Sequence, residues 1–267
     1  MLVWARRAVI DLHCHILPGI DDGPASLDES VELARLFEAD GVRTVAATPH
    51  LRSDHPGVVP AELAERCADL TAALRRAGVQ LEILPAGELD LVWALDAAPD
   101  DLRLASFAQR GTDLLVETPY GPLPSTFEDH LFRLSVQGFR LLLAHPERNP
   151  TFQDIPERLA ELVRRGILVQ VTAASLTRPP RRSRSARCAR RLLGEGLVHV
   201  LSSDAHGPGA LDRAPLPAGC AVAREIVGPR ADELCVDAPR AVLAGAPLPS
   251  PPLVATSRLA RGRWFRR

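Results

Sequence analysis

The sequence predicts an α/β barrel, and two observations along the chain lead to that prediction. Short apolar runs alternate with helical patterns over most of the 267 residues, which is typical of parallel strands joined by right-handed helical crossovers. Residue types that bind metals follow nearly every apolar run. An open doubly wound sheet would gather such side chains at a single crevice, whereas the C-terminal mouth of a barrel brings together the ends of all its strands. The second observation therefore favours the barrel.

The individual elements follow from the spacing of the apolar residues. Runs suited to buried strands lie at 8–12, 44–47, 81–86, 114–116, 141–144, 168–171 and 199–201. Apolar residues spaced three and four apart predict helices over 27–40, 60–77, 124–137, 156–165 and 184–194. The first helix has an N-cap and a capping-box partner in Ser26 and Glu29, and Gly41 marks its end.

Composition and charge exclude several kinds of function. A hydrophobic fraction of 46% is enough for a sizeable core, and the net charge of -1 argues against a general nucleic-acid binder. All 32 basic side chains are arginine. A lysine nucleophile, a Schiff base and the Gly-x-x-x-x-Gly-Lys phosphate loop are therefore excluded.

Cysteine usage and the lack of long apolar runs predict a cytoplasmic protein. No two cysteines are close in sequence, so we expect all five to be free thiols in a reducing compartment. We find no signal peptide, and no run approaches the roughly 20 apolar residues of a membrane helix. Residues 1–249 are interpreted as one domain, and the basic, proline-rich residues 250–267 as a flexible tail. A contact of this tail with an anionic surface is the alternative.

A strand that ends in two histidines is the most informative stretch. His13 and His15 are one residue apart, so in an extended chain their imidazoles point to the same side while Cys14 faces away. Two neutral imidazoles that converge in this way are a metal-ligand arrangement. A glycine-rich turn follows, and Asp22, or alternatively Asp21, can return a carboxylate to the same place.

Similar ligand types recur after the later strands. The candidate metal ligands are His13, His15, Asp22, His50, Glu88, Glu117, His145, Asp204 and His206. This set is sufficient for two or three ions, and imidazole and carboxylate donors without thiolate suit Mn, Fe, Zn or Co. Two ions about 3.5–4 Å apart can clamp both oxygens of an in-line phosphoryl displacement and lower the pKa of a bound water toward about 7. The set therefore predicts metal-dependent hydrolysis of a phosphoester or a related bond.

Seven motifs in order along residues 8–246 carry a family resemblance. They are His-Cys-His at 13–15, Asp-Asp-Gly at 21–23, Thr-Pro-His at 48–50, Gly-Glu at 87–88, Val-Glu at 116–117, His-Pro-Glu-Arg at 145–148 and Ser-Asp-Ala-His at 203–206. Together they resemble the PHP (polymerase and histidinol phosphatase) superfamily. Leu-Pro-Gly-Ile-Asp-Asp-Gly at 17–23 and the unbroken His-Pro-Glu-Arg are similar to its bacterial manganese-dependent protein-tyrosine phosphatases of capsule and exopolysaccharide clusters, the CpsB/CapC type.

The resemblance implies a more specific fold and activity than the residues alone. It implies a distorted seven-stranded, TIM-like barrel with a metal site of two or three ions, most commonly Mn²⁺, at the C-terminal mouth. It also implies dephosphorylation of the tyrosine-rich tail of a partner autokinase that controls capsule or exopolysaccharide synthesis. The family's phosphate-binding arginines would correspond to Arg148 and Arg213, although residues 207–212 look like a small insertion before Arg213.

Arginine chemistry supports the same assignment independently, because a planar guanidinium matches a phosphate bidentately. Arg148 follows the ligand His145 by three residues, and Arg52 lies just past His50, where we expect it at the rim as a weaker substrate-binding candidate. The alternative for Arg148 is an ordinary ion pair. His55, His130 and His199 are interpreted as structural, and the basic run 181–191 as a solvated helix face or, alternatively, a docking surface for an acidic tail.

Rival functions leave different traces in the sequence. A cysteine-dependent tyrosine phosphatase needs an arginine six residues after its cysteine, and none of the five cysteines has one. A small-molecule PHP phosphatase, such as histidinol-phosphate phosphatase, would use the same ligands and stays as the alternative. A nucleic-acid processing module or a non-catalytic regulatory barrel is the third hypothesis, disfavoured by the charge, by an aromatic content of 4% and by the filled ligand set.

Overall fold

A computed structural model of the protein describes residues 8–209 and 215–249. Its strands are β1 (Val9–Cys14), β2 (Val42–Ala47), β3 (His50–Leu51), β4 (Glu82–Pro85), β5 (Glu88–Leu89), β6 (Asp113–Glu117), β7 (Arg140–Ala144), β8 (Leu168–Thr172) and β9 (Val200–Ser202). Its α-helices are α1 (Leu27–Ala39), α2 (Leu63–Arg76), α3 (Leu91–Asp96), α4 (Pro99–Ala105), α5 (Phe127–Ser135), α6 (Pro150–Asp154), α7 (Pro156–Arg164), α8 (Ala173–Thr177), α9 (Arg184–Gly194), α10 (Leu216–Val227) and α11 (Ala238–Ala244). The predicted tail, 250–267, lies outside the described residues.

All strand pairs are parallel and form two sheets. One has the order β1-β2-β4, and the other β3-β5-β6-β7-β8-β9. The chain of β2 continues into β3 after two residues, and that of β4 into β5, so the two sheets share interrupted strands. An isolated parallel bridge joins Cys14, at the end of β1, to Ala205, just beyond β9. The prediction of an α/β fold with parallel strands is confirmed.

The two faces of the strands bury two apolar clusters. The larger cluster contains Val45, Val116 and Val169 and packs against the surrounding helices. The smaller one contains Leu12, Leu115 and Leu142 on the opposite face, with α11 contributing Val242. Because side chains alternate along a strand, Glu117 lies on the same face of β6 as Leu115, two residues earlier. The smaller cluster thus forms the apolar floor beneath the polar residues at the strand ends.

Each of the seven predicted strands is present, with ends shifted by one or two residues. The two-residue strands β3 and β5 were not predicted, because they are too short for a periodic pattern and begin with the polar residues His50 and Glu88. The predicted helix 124–137 starts later, at Phe127. No helix among the described residues is long and apolar enough to cross a membrane.

The expectation of five free thiols is wrong for two of them. Cys220 and Cys235 form a disulfide, whereas Cys14, Cys67 and Cys188 are free and buried. The two bonded cysteines are 15 residues apart in sequence, and their Cα atoms lie 6.9 Å apart. A separation of 15 residues does not by itself indicate a disulfide. The two cysteines come close only because the chain reverses after α10 at Gly228, which has a φ of 62°.

Candidate metal centre

The nine predicted metal ligands converge at the carboxyl ends of the strands. Their side chains form four groups that share members. Within each group, one nitrogen or oxygen atom from every residue lies within 4.8 Å of those of the others. The groups are His15, Asp22, His50 and His206; His13, His15 and Glu88; His13, His145 and Asp204; and His50, Glu88 and Glu117. Every residue predicted from sequence as a ligand belongs to at least one group.

His13 is held from two sides so that one ring nitrogen faces the centre. Its backbone N–H donates to Asp11 Oδ1 at 3.2 Å, and its Nδ1 lies 3.2 Å from Gln170 Oε1. Nε2 lies 3.2 Å from Asp204 Oδ1 and 3.3 Å from Glu88 Oε2. An imidazole fixed through one nitrogen presents the other to a cation, which is the usual arrangement of a metal-binding histidine.

The two neighbouring aspartates have different surroundings, which sequence left open. Asp21 Oδ2 lies 2.7 Å from His15 Nδ1 and also accepts from the backbone N–H of His50 at 3.1 Å. Asp22 Oδ1 instead lies 3.5 Å from His50 Nε2 and 3.4 Å from His206 Nε2. Asp21 therefore orients His15, and Asp22 is the one grouped with the ligand atoms.

Glycine is required where the turn passes closest to the first strand. A Cβ on Gly23 would lie 2.1 Å from the backbone oxygen of His15. A second glycine, Gly87, precedes the central carboxylate, and a Cβ there would lie 2.4 Å from the side chain of Leu51. Both close approaches bring the chain against the strand ends that carry ligands.

Glu88 lies at the centre of the cluster and is 1% exposed. Its Oε2 is 3.1 Å from His50 Nδ1, 3.3 Å from His13 Nε2 and 3.5 Å from His15 Nε2. Its Oε1 lies 3.0 Å from His145 Nε2. If metal ions bind here, a carboxylate that faces four imidazoles with both oxygens would be a donor shared by two of the candidate ligand groups.

Two ligand residues adopt left-handed backbone conformations that non-glycine residues rarely use. His145 has a φ of 36° and Asp204 a φ of 54°. The backbone N–H of His145 donates to Gln170 Oε1 at 3.1 Å, and that of Asp204 to His13 O at 2.8 Å. Such strained residues persist only where surrounding contacts hold them, and they cluster at functional sites.

Electrostatics of the cluster call for cations. Asp22, Glu88, Glu117 and Asp204 place four carboxylates among the imidazoles, and three of them are buried. Burial by itself would lower the pKa of His50, but the carboxylates of Asp22 and Glu88 outweigh it and raise the pKa to about 9. Nδ1 of His50 and Oε2 of Glu88 are buried and lie 3.1 Å apart, but neither makes a hydrogen bond of good geometry. Buried polar atoms without hydrogen bonds beside several carboxylates fit divalent ions.

Arginines reach the cluster from two sides. Arg148 Nη2 lies 2.6 Å from Asp204 Oδ2 and 3.1 Å from Thr172 Oγ1, and its side chain is 29% exposed. Arg52 Nη1 lies 3.4 Å from Glu117 Oε1, while its Nε bonds Asp54 at 2.7 Å. Both side chains stay partly exposed, Arg52 at 25% and Arg148 at 29%. Arg213 lies outside the described residues.

Of the other histidines, His199 has structural surroundings, and so has part of the basic run. His199 Nδ1 accepts from the backbone N–H of Val169 at 3.0 Å, and His55 stacks on His50 with centroids 5.5 Å apart. In the basic run, Arg184 pairs with Asp154, and Arg191 pairs with Glu157 and Glu195. These pairs support the solvated helix face for that part of the run.

Sequence reasoning missed the residues that hold the ligands in place. Asp11 accepts from the backbone N–H groups of His13 and Ser203, and burial raises the pKa of its carboxyl to about 6. Gln170 bonds two ligand residues from the middle of a fully buried strand. Glu147 accepts from Ser175 Oγ at 2.7 Å and from Thr172 N at 3.1 Å. A polar residue inside an apolar strand was the one available sign, and it applied to Asp11 and Gln170.

Comparisons with known proteins find relatives that match most of this chain. The profile of the family described as "Capsular polysaccharide synthesis, CpsB/CapC" matches residues 9–244. The tyrosine-protein phosphatase YwqE of Bacillus subtilis is 32% identical over 198 residues, 74% of this chain and 77% of that protein. The tyrosine-protein phosphatase CpsB of Streptococcus pneumoniae is 26% identical over 249 residues, 88% of this chain and 98% of that protein.

A solved structure also superposes on this fold. It comes from work on YwqE of Bacillus subtilis and CpsB of Streptococcus pneumoniae, described there as unique metal-dependent tyrosine phosphatases, and matches with a TM-score of 0.79 at 29% identity. The match covers 91% of this chain and 98% of the other. The profile match extends over most of the chain and includes the whole ligand cluster. The chain therefore belongs to the CpsB/CapC family of capsular polysaccharide synthesis.

Proposed function

We propose that this protein is a metal-dependent protein-tyrosine phosphatase that acts on a tyrosine-phosphorylated autokinase controlling capsule or exopolysaccharide synthesis. One observation carries the proposal: nine ligand-type residues converge beside Arg148, whose side chain is 29% exposed. Relatives named as tyrosine-protein phosphatases and the metal-dependent phosphatase structure support it. They do not support the histidinol-phosphate alternative.

We infer that the strands close into a distorted seven-stranded barrel. With β2 and β3 counted as one interrupted strand, and β4 and β5 as another, the pairing order of the seven runs from β1 to β9 in chain order. The bridge between Cys14 and Ala205 brings the last strand back to the first. The backbone hydrogen bond from His15 N to Ala205 O, at 2.9 Å, supports the same closure.

The residues that would hold the metal are the nine ligands, with Glu88 between the groups. We propose two or three ions, Mn²⁺ in the first place, although Fe, Zn or Co suit the same donors. When bound, such ions clamp phosphoryl oxygens and lower the pKa of water toward about 7. The histidines would bind as neutral imidazoles, with the ring of His13 held by Gln170 and that of His15 by Asp21.

The arginines are proposed to bind the phosphoryl group. Arg148 is anchored by Asp204 and Thr172, so its guanidinium is oriented before substrate arrives. Its remaining N–H groups can donate to two oxygens of one phosphate and offset the charge that develops during transfer. Arg52 is proposed to bind at the rim, near Glu117. Arg213 is proposed as a second phosphate ligand on the resemblance alone.

The domain and partner assignments belong to the same proposal. Residues 1–249 would form the phosphatase domain, and 250–267 a separate basic tail. Cell fractionation tests the cytoplasmic location that we propose. Co-expression with a tyrosine autokinase tests the partner, because the kinase should lose phosphotyrosine only with an active phosphatase.

Turnover of two substrates by the full-length chain tests the activity. With Mn²⁺, we expect hydrolysis of a phosphotyrosine peptide to exceed that of histidinol phosphate by at least about tenfold in kcat/KM, and a chelator to stop it. His145→Ala should abolish release of phosphate, since it removes an imidazole that faces Glu88. His130→Ala, on α5, is the matched control and should retain full activity. Faster turnover of histidinol phosphate would overturn the proposed substrate.

A further inference from the structure

The chain's single tyrosine stands beside the ligand cluster. Tyr120 follows the end of β6 by three residues, on the same strand-end loop as Glu117. Its ring centroid lies 6.1 Å from that of His145, with the two planes inclined by 23°. His145 in turn stacks with His13 at 5.5 Å. Tyr120 is therefore the outermost ring of a row that begins among the buried ligands.

The ring is largely exposed although its backbone is restrained. Tyr120 is 64% exposed, yet Asn149 Nδ2 donates to Pro119 O at 2.6 Å and to Gly121 O at 2.9 Å. The carbonyls before and after Tyr120 are thus bonded to one side chain, which is 1% exposed. Asn149 directly follows Arg148 in the chain. The same segment therefore sets the positions of the guanidinium and of the tyrosine ring.

Charged side chains of the site act on the hydroxyl of Tyr120. Partial burial raises the pKa of Tyr120, and the carboxylates of Glu117 and Glu88 raise it further, while the guanidinium of Arg148 opposes them. Single exposed aromatic residues are ordinary on protein surfaces. This one differs because a buried amide bonds the carbonyls on both sides of it and because its ring lies 6.1 Å from that of His145.

We propose that the ring of Tyr120 packs against the aromatic ring of the substrate and so determines a preference for aryl over alkyl phosphates. The inference rests on the proposed phosphatase function and goes beyond it by naming the residue that recognises the leaving group. Aromatic rings favour offset or edge contacts with centroids about 4.5–7 Å apart, and an exposed ring offers a face for such a contact. Arg148 and the ligands bind the phosphate, whereas Tyr120 binds the carbon skeleton.

Kinetics of ring-removing and ring-keeping variants test the proposal. Tyr120→Ala should raise KM for a phosphotyrosine peptide about 5- to 20-fold and leave kcat within about twofold, since a contact to the ring is made in ground and transition states alike. Tyr120→Phe keeps the ring and should stay within about twofold of wild type. Phe132→Ala removes an aromatic side chain that is 67% exposed on α5, and serves as the matched control.

Inhibition by inorganic phosphate separates recognition of the ring from recognition of the phosphate. Its inhibition constant should be unchanged in every variant, because phosphate has no aromatic ring. An unchanged KM in Tyr120→Ala would overturn the proposal, and so would equal damage in Tyr120→Phe or a parallel rise in the phosphate inhibition constant. If the wild-type protein did not hydrolyse the phosphotyrosine peptide at all, the proposed function itself would fail, and this inference with it.

Discussion

The side-chain oxygen of Gln170 lies 3.2 Å from Nδ1 of His13. The same oxygen accepts the backbone N–H of His145 at 3.1 Å, so it acts as an acceptor and the His13 Nδ1 carries the proton. Nε2 of His13 is then left with its lone pair toward Glu88 and Asp204. One amide thus selects the tautomer of one ligand and positions the backbone of another.

Gln170→Leu should weaken metal binding. The substitution removes the acceptor and frees His13 to adopt the other tautomer, and losses of partners of this kind cost about 10- to 100-fold in metal affinity. Isothermal titration calorimetry with the metal ion measures the dissociation constant. Gln137→Leu, at an exposed position, is the control. An unchanged dissociation constant in Gln170→Leu would show that the tautomer does not depend on this contact.

Glu88→Gln should remove both metal and activity while the protein stays folded. The amide keeps the volume of the side chain but replaces a charge that faces four imidazoles. We expect loss of at least one equivalent of bound metal and a fall in kcat of about a thousandfold or more, because this carboxylate belongs to two of the four candidate ligand groups. Metal analysis and circular dichroism are measured on the same sample. Glu82→Gln, exposed on β4, should behave as wild type, and normal metal content in Glu88→Gln would refute its central position.

Arg148→Ala should lower kcat/KM for a phosphotyrosine peptide by at least about tenfold, since contacts between guanidinium and phosphate are charge-assisted. Arg148→Lys should recover only part of the loss, because an ammonium lacks the planar fork. The inhibition constant of inorganic phosphate should rise in both variants. Arg165→Ala, on the surface, provides the control. If phosphate inhibited the Arg148→Ala variant as strongly as wild type, Arg148 would serve only as the ion-pair partner of Asp204.

His199 should make the protein less stable as the pH falls. Burial lowers the pKa of its imidazole to about 4, with the charge of Arg230 as a smaller cause. The unfolded chain, with a pKa of about 6.5, binds a proton in a range where the folded protein does not, so stability is complete above pH 6.5 and declines toward pH 4. Because of this residue, the free energy of unfolding should be about 2 kcal/mol lower at pH 5 than at pH 7.

His199→Gln isolates that contribution, because glutamine can still accept the N–H of Val169 but does not titrate. Urea unfolding gives the free energy of unfolding at pH 7 and at pH 5. Its decrease between the two pH values should be about 2 kcal/mol smaller for the variant than for wild type. All other titrating groups are common to both proteins and cancel in the difference. Parallel declines would mean that His199 is protonated in the folded state.

Much of the site could be read from the chain because its pattern is local. His13 and His15 share a side by strand alternation, and the motifs around His50, Glu88, His145 and Asp204 each follow an apolar run. Parallel strands joined by helices then carry those ends to one side of the fold. The two-residue strands β3 and β5 escaped prediction, because strands that short leave no periodicity.

Contacts between distant segments had no such pattern. Asp21 and Asp22 occupy the same turn. The choice between them depends on which carboxylate lies against His15 Nδ1 and which lies near Nε2 of His50. Asn149 follows the His-Pro-Glu-Arg motif, and no sequence pattern predicts that its amide bonds the carbonyls on both sides of Tyr120. The pairing of Cys220 with Cys235 likewise depends on how α10 is followed by a reversal of the chain.

The sequence by itself determined the residue types of the candidate metal centre, their order and the parallel α/β class, because strand alternation and helix periodicity act over a few neighbouring residues. Tertiary structure alone decided which ligand atoms meet, which aspartate supports which histidine, and where the tyrosine ring stands. Those relationships join residues up to 192 positions apart, as between Asp11 and Ser203. They depend on how the whole chain packs, which no local pattern encodes.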